Sequence, residues 1–116
     1  DIDPLALSGT LENARKNHIG EDRLRAVHAN ILEDAERVES ENAEKFHIVA
    51  ANILADVIIP LTAVVKGLLR EGGYFISSGI LTERAEDVER ALLKHDFEIL
   101  EKNTLGEWCS FVARIR

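Results

Sequence analysis

Asn52 is the residue of this chain best placed by its neighbours to do chemistry. It ends an apolar, strand-like run, Phe46-His47-Ile48-Val49-Ala50-Ala51, and is followed by Ile53-Leu54 and an apolar, helix-like stretch. In an open parallel sheet ligands collect just beyond the carboxyl ends of the strands, so a small amide side chain there faces the site. Its amide oxygen and amide nitrogen can each orient a polar group. The plainer reading of Asn52 is an amino cap for the helix that follows, and both roles can coexist. A near copy, Ala29-Asn30-Ile31-Leu32, lies 22 residues before Ala51-Asn52-Ile53-Leu54 and also follows a candidate strand. Four residues of common types are too few to make a repeat.

Other chemistries find little support. His18, His28, His47 and His95 have no spacing with one another or with Cys109 that resembles a metal site. Ser77 and Ser78 lack the Gly-x-Ser-x-Gly elbow of hydrolases. Gly72-Gly73 precedes no lysine-containing phosphate loop and reads as a tight turn before a strand. Trp108 reads as packing on its strand, with exposure near a substrate face as the alternative.

Several elements must position Asn52. Pro4 suits the first turn of a helix, and Leu5, Leu7, Leu11 and Ala14 give it an apolar stripe to about Asn17, with Gly20 as the stop. Leu24 to Ala29 is expected to be a short buried strand. Glu33 to Lys45 is mostly acidic and reads as a solvated loop or surface helix. Phe46 to Ala51 is apolar on successive residues, which predicts a strand covered on both faces. A helix then runs from about Ile53 or Asp56 to Leu69, with a kink or restart expected at Pro60. After the Glu71-Gly72-Gly73 turn, Tyr74 to Ser78 reads as a buried strand. Thr82 can cap the next helix, whose inner face is Ala85, Val88 and Leu92. Phe97 to Lys102 and Trp108 to Ile115 alternate around a loop containing Gly106. They predict an antiparallel pair with Cys109, Phe111, Ala113 and Ile115 on one face. This order predicts an α/β fold, a mostly parallel sheet with an antiparallel C-terminal strand.

Composition narrows the partners. The 116 residues carry 14 Lys plus Arg against 21 Asp plus Glu, a net charge of −7, which argues against a nucleic-acid backbone as the direct partner. The lone Cys109 cannot form an internal disulfide and fits a reducing compartment, and no apolar stretch approaches the ~20 residues of a membrane span. We expect a soluble, cytoplasmic protein without membrane contact. The chain has no methionine and opens on Asp1-Ile2-Asp3-Pro4, like a strand end turning into a helix, which suggests a truncated piece or a processed native terminus.

The residues carry a resemblance. Asp1-Ile2-Asp3-Pro4 with Glu12-Asn13-Ala14 and Asn17, Val49-Ala50-Ala51-Asn52-Ile53-Leu54, Gly72-Gly73, Ser78-Gly79-Ile80-Leu81 and Glu107-Trp108-Cys109 follow one another as in the ribosomal protein L-eleven methyltransferase family (PrmA type). The Ala-Asn-Ile-Leu and Ser-Gly-Ile-Leu elements with the terminal Glu-Trp are the specific ones. The chain resembles the carboxy-terminal part of that family's catalytic domain, a class I methyltransferase with a Rossmann-like sheet. The family's first strand, glycine-rich loop and separate amino-terminal domain have no counterpart in it. His47 also stands where the family commonly has aspartate.

The resemblance implies the cofactor S-adenosylmethionine and methylation of lysine side chains and the amino terminus of a large-subunit ribosomal protein. It places Asp1 where a carboxylate accepts both ribose hydroxyls, and Asn30 or Ile31 against the adenine. Asn52 then orients the cofactor amino group or the incoming amine. Asp3 is left to the helix start. Methyl transfer from sulfur to nitrogen is an in-line displacement, so positioning a neutral amine supplies much of the catalysis. No histidine or carboxylate is obviously poised to take the amine's proton, so no general base is assigned. Read this way, residues 1–116 are one partial methyltransferase domain, truncated on its N-terminal side and inactive alone. Two alternatives stay open: a related methyltransferase with another substrate, and a non-catalytic piece that self-associates through exposed strand edges.

Overall fold

The computed structural model describes all residues 1–116, and the chain divides into two compact units, Asp1–Ala35 and Glu36–Arg116. In the first, Pro4–Lys16 forms helix α1. Asp3 is its amino cap, Oδ1 accepting from the Leu5 amide at 2.9 Å, and Pro4 follows where a missing amide hydrogen costs nothing. The helix stops at Asn17, before the expected Gly20. His18 takes a left-handed φ of 57°, its amide bonds the Arg15 carbonyl, and the Ile19 amide bonds that of Ala14. That is a Schellman closure with histidine in the place glycine usually takes. The leucine stripe is largely uncovered: Leu5 and Leu11 are exposed, and of this helix only Ala14 is buried.

The expected strand at Leu24–Ala29 has no ladder. The segment is extended: the Asp1 amino group donates to the Val27 carbonyl at 2.8 Å, the Asp1 carbonyl accepts from the Ala29 amide at 2.9 Å, and His28 Nε2 lies 3.1 Å from the Ile2 carbonyl. The two backbone bonds flank His28 in the pattern of a single parallel bridge to Asp1, which is too short to make a strand.

The second unit opens with a short exposed helix, α2 (Ala35–Glu41), as the acidic composition suggests. There follow β1 (Phe46–Asn52), α3 (Ala55–Leu68), β2 (Leu69–Leu81), a single 3-10 turn (Thr82–Arg84), α4 (Ala85–Lys94), β3 (Phe97–Leu105) and β4 (Trp108–Ile115). The sheet order is β1-β2-β4-β3. β1 and β2 are parallel, and β4 runs antiparallel to both of its neighbours, so β4 alone is reversed. No helix is long and apolar enough to cross a membrane.

One face of this sheet builds the core. Phe75 and Ser77 on β2, Phe97 on β3 and Cys109, Phe111, Ala113 and Ile115 on β4 are buried. Ile58, Leu61 and Val65 of α3 and Val88, Ala91 and Leu92 of α4 are buried too, and both helices contact the strands. Each such aliphatic or aromatic side chain contributes roughly 1.5–3 kcal/mol by leaving water. The Phe75 and Phe97 rings meet at 5.8 Å with a 49° tilt, a favoured aromatic geometry.

The structure corrects four local expectations. Pro60 does not restart α3: the helix runs unbroken from Ala55 to Leu68, Pro60 giving up one bond to the preceding turn while buried Ile58, Leu61, Thr62 and Val65 hold the helix through it. Glu71-Gly72-Gly73 does not precede the strand as a turn; β2 starts at Leu69 and runs through it with an irregularity of register, Phe46 opposite Leu69 and Ile48 already opposite Tyr74. Thr82 does not cap α4 with its side chain, because a 3-10 turn intervenes and the Thr82 amide instead bonds the Glu107 carbonyl at 2.9 Å. β1 is not covered on both faces: it is an edge strand of this sheet, and Phe46 and Ile48 are 39% and 56% exposed.

The carboxy-terminal hairpin forms as expected. Leu105 faces Trp108 across Gly106-Glu107, and Gly106 has φ +60°, the arrangement of a II′ turn. Trp108 itself is half exposed, so it packs with only part of its surface.

Candidate functional site

The second unit presents one strand end with chemistry on it. Asn52 closes β1 in register with Ser78 of β2, at the carboxyl ends of two parallel strands, where α/β sheets hold ligands. Its side chain does not cap α3. The cap residue is Leu54, whose carbonyl takes the Val57 and Ile58 amides at 3.0 Å each. Asn52 is exposed, and its amide has no hydrogen-bond partner within the protein.

The neighbouring strand end is shaped around it. β2 slips against β4 between Ser77 and Ile80, so Ser77 faces Phe111 while Ile80 faces Cys109. Gly79 sits in that bulge with φ +76°, and a Cβ there would lie 2.5 Å from Asn52 Oδ1. A cleft of about 120 Å³ adjoins it, lined by Leu54, Ala55, Asp56, Gly79, Leu81 and Arg84. Arg84 is fixed on its wall by Asp56 at 2.6 Å and Asp87 at 3.1 Å. The hydrogen bond to Asp56 first, and then that to Asp87, hold the guanidinium above its ordinary pKa. With Leu54 and Ile53 also exposed, the rim combines apolar surface, an anion and a held cation. A larger cavity of about 490 Å³ lies around Lys45, Phe46, His47 and Arg70, at the opposite end of β1. Position in the sheet, not volume, favours the smaller cleft.

The other candidates from the sequence, Asp1, Asn30 and Ile31, belong to the first unit. Asp1 is tied to Val27 and Ala29, directly before Asn30. One of its carboxylate oxygens accepts from the Asp3 amide at 2.9 Å. Asn30 stitches a turn: its Oδ1 accepts from the Leu32 amide at 3.1 Å, and its own amide donates to Asp34 at 2.9 Å. Ile31 is half-buried. Gly79, Asp56 and Arg84 were not singled out by sequence reasoning as site residues. A glycine inside a strand pattern was the available signal for Gly79, since it marks a bulge or a close approach; the Asp56–Arg84 pair spans 28 residues and left no local trace.

The family model for "Ribosomal protein L11 methyltransferase (PrmA)" matches residues 1–116. The chain belongs to this family. A ribosomal protein L11 methyltransferase of Lachnoclostridium phytofermentans is 39% identical over 127 residues, covering 98% of this chain and 38% of that protein. One of Agathobacter rectalis is 38% identical over 114 residues, covering 98% and 35%. The chain thus spans little more than a third of the length of these curated relatives. The solved ribosomal protein L11 methylase of Lactobacillus delbrueckii subsp. bulgaricus superimposes with TM-score 0.85 at 28% identity, covering 100% of this chain and 56% of that one. The SAH complex of the protein SMU.776 does so with TM-score 0.81 at 11% identity, covering 99% and 38%, which shows a shared fold. The mixed sheet is accordingly part of a PrmA-family, class I methyltransferase Rossmann-like fold.

Proposed function

We propose that residues 1–116 are part of one catalytic domain, in a longer protein that uses S-adenosylmethionine to methylate lysine side chains and the amino terminus of a large-subunit ribosomal protein in the cytoplasm. Family membership supports the reaction class, and one observation of the site carries the reading: an unpartnered amide, Asn52, at the carboxyl end of β1 beside a cleft. When bound, S-adenosylmethionine supplies an electrophilic methyl group on sulfur. Asn52 Oδ1 is suited to accept an N–H from the attacking amine, or from the cofactor amino group, and so to set the line of approach. The amine nitrogen must reach the methyl carbon neutral, and no residue of this chain is assigned as the base that takes its proton. Asp1 keeps one carboxylate oxygen clear of the Asp3 amide for ribose hydroxyls. Asn30 has committed its oxygen to Leu32, leaving its amide hydrogens and the Ile31 side chain for the adenine.

Calorimetric titration with S-adenosylhomocysteine and a methyl-transfer assay on large-subunit ribosomal protein test this in the intact gene product. Binding and turnover are expected, with Asn52→Ala lowering kcat by about 10²-fold, the cost of misplacing a reactant by about 1 Å. The 116-residue chain alone should bind the ligand very weakly and turn nothing over. An intact protein that neither binds nor methylates would refute the reading, and tight binding by the chain alone would overturn the division of labour within it.

A further inference from the structure

We propose that Gly79 is a positioning residue for Asn52, its missing side chain being the notch that leaves room for the rotamer in which the catalytic amide stands. The proposal rests on the role given to Asn52 above, but its geometry stands independently. Asn52 has no hydrogen bond to fix its rotamer, and as an exposed side chain it would otherwise sample several staggered wells. What constrains it is shape. Oδ1 occupies the space that a Gly79 Cβ would fill, 2.5 Å away, and the Ile53 carbonyl and amide stand at 3.3 and 3.4 Å from the same point. The notch is rigid because Gly79 belongs to a bulge pinned on both sides, by Ser77 opposite Phe111 and by Ile80 opposite Cys109. Ser78 also pairs with Asn52 itself.

A Cβ at this point has two separable consequences. The φ of +76° would be strained for any L side chain, a cost to the fold. The overlap with Oδ1 is different, because the tip of an asparagine swings away easily, so its cost falls on where the amide points and not on stability. Gly72 separates the two. It has nearly the same φ, +73°, but nothing lies within 4 Å of its Cβ position. Gly72→Ala therefore carries the strain without the overlap.

Proton–nitrogen correlation spectra of the 116-residue chain, with the Asn52 side-chain pair assigned by its loss in Asn52→Ala, read the positioning whether or not the intact protein is a methyltransferase. Gly79→Ala should move that pair, and Gly72→Ala should leave it in place while losing a similar amount of thermal stability. In the intact gene product Gly79→Ala should lower kcat by about tenfold or more with KM for the protein substrate little changed. Added to Asn52→Ala it should lower kcat no further, because both changes remove one interaction. Absence of any methyl transfer in the wild-type protein would sink the proposed function, while the spectra would still judge Gly79. If Gly79→Ala does not fold, Gly79→Asn introduces the same Cβ in a residue for which left-handed backbone is less costly. An unmoved Asn52 pair, an equal movement in Gly72→Ala, or loss of folding in both Gly79 variants would overturn the proposal.

Discussion

Replacing Ser77 by alanine should make the Glu36–Arg116 unit more stable. Ser77 is fully buried on β2, between Ala51 of β1 and Phe111 of β4, and its Oγ has no hydrogen-bond partner. A buried hydroxyl left unpaired costs the fold about 1–3 kcal/mol in lost hydration. Removing the oxygen leaves a void on the order of 10 Å³, which at about 24 cal/mol per Å³ costs only about 0.2 kcal/mol. The balance is a gain of about 1–3 kcal/mol. With an m-value of about 1 kcal/mol per molar urea for so small a unit, the midpoint should rise by roughly 1–3 M. Trp108 is the only tryptophan and lies in β4, so its fluorescence reports this unit directly. An unchanged or lowered midpoint would refute the reasoning, because it would mean that the hydroxyl is satisfied, for instance by an enclosed water.

Three further outcomes follow from the structure. Leu92→Ala, at a position of α4 with no exposure, should cost about 2–5 kcal/mol, and a urea midpoint close to wild type would contradict the core described above. Asp96 is held below the ordinary carboxylate pKa chiefly by its hydrogen bond to Lys66 at 2.5 Å, and secondarily by that lysine's charge. Its stabilisation is therefore present above the unfolded carboxylate pKa and lost as pH falls through the lower folded value. Asp96→Asn, which also tolerates the left-handed φ of 65°, should slightly lower the melting temperature at neutral pH and leave it unchanged in strong acid; a constant difference across pH would exclude the pair as its source. Finally, β1 offers an unpaired edge with exposed Phe46 and Ile48, so the isolated chain should self-associate, and Ile48→Lys should shift it toward monomer. A wild-type monomeric mass by light scattering would refute that expectation.

Elements whose reasons are local were legible in the chain. Asp3-Pro4 starts α1, Ala85, Val88 and Leu92 line α4, and alternation around Gly106 makes the β3–β4 hairpin, because caps, helical period and strand period act over a few residues. The placement of Asn52 at a strand end was legible for the same reason. The errors share a cause at longer range. Phe46–Ala51 is apolar enough for a doubly covered strand, but exposure depends on which neighbours pair with it, and here only β2 does. Leu24–Ala29 has strand-forming residues but pairs through a single bridge, to Asp1. Pro60 is a helix breaker by propensity, overruled by the burial of its neighbours. The candidate site divides along the same line. Composition and order could nominate Asn52, but whether it caps a helix or stands free was settled by where α3 begins. The notch at Gly79 exists only because a bulge 27 residues later in the chain brings a left-handed glycine against one amide oxygen. Periodicity encodes what each segment is, whereas pairing register and side-chain overlap, which act across the whole fold, determine what each residue touches.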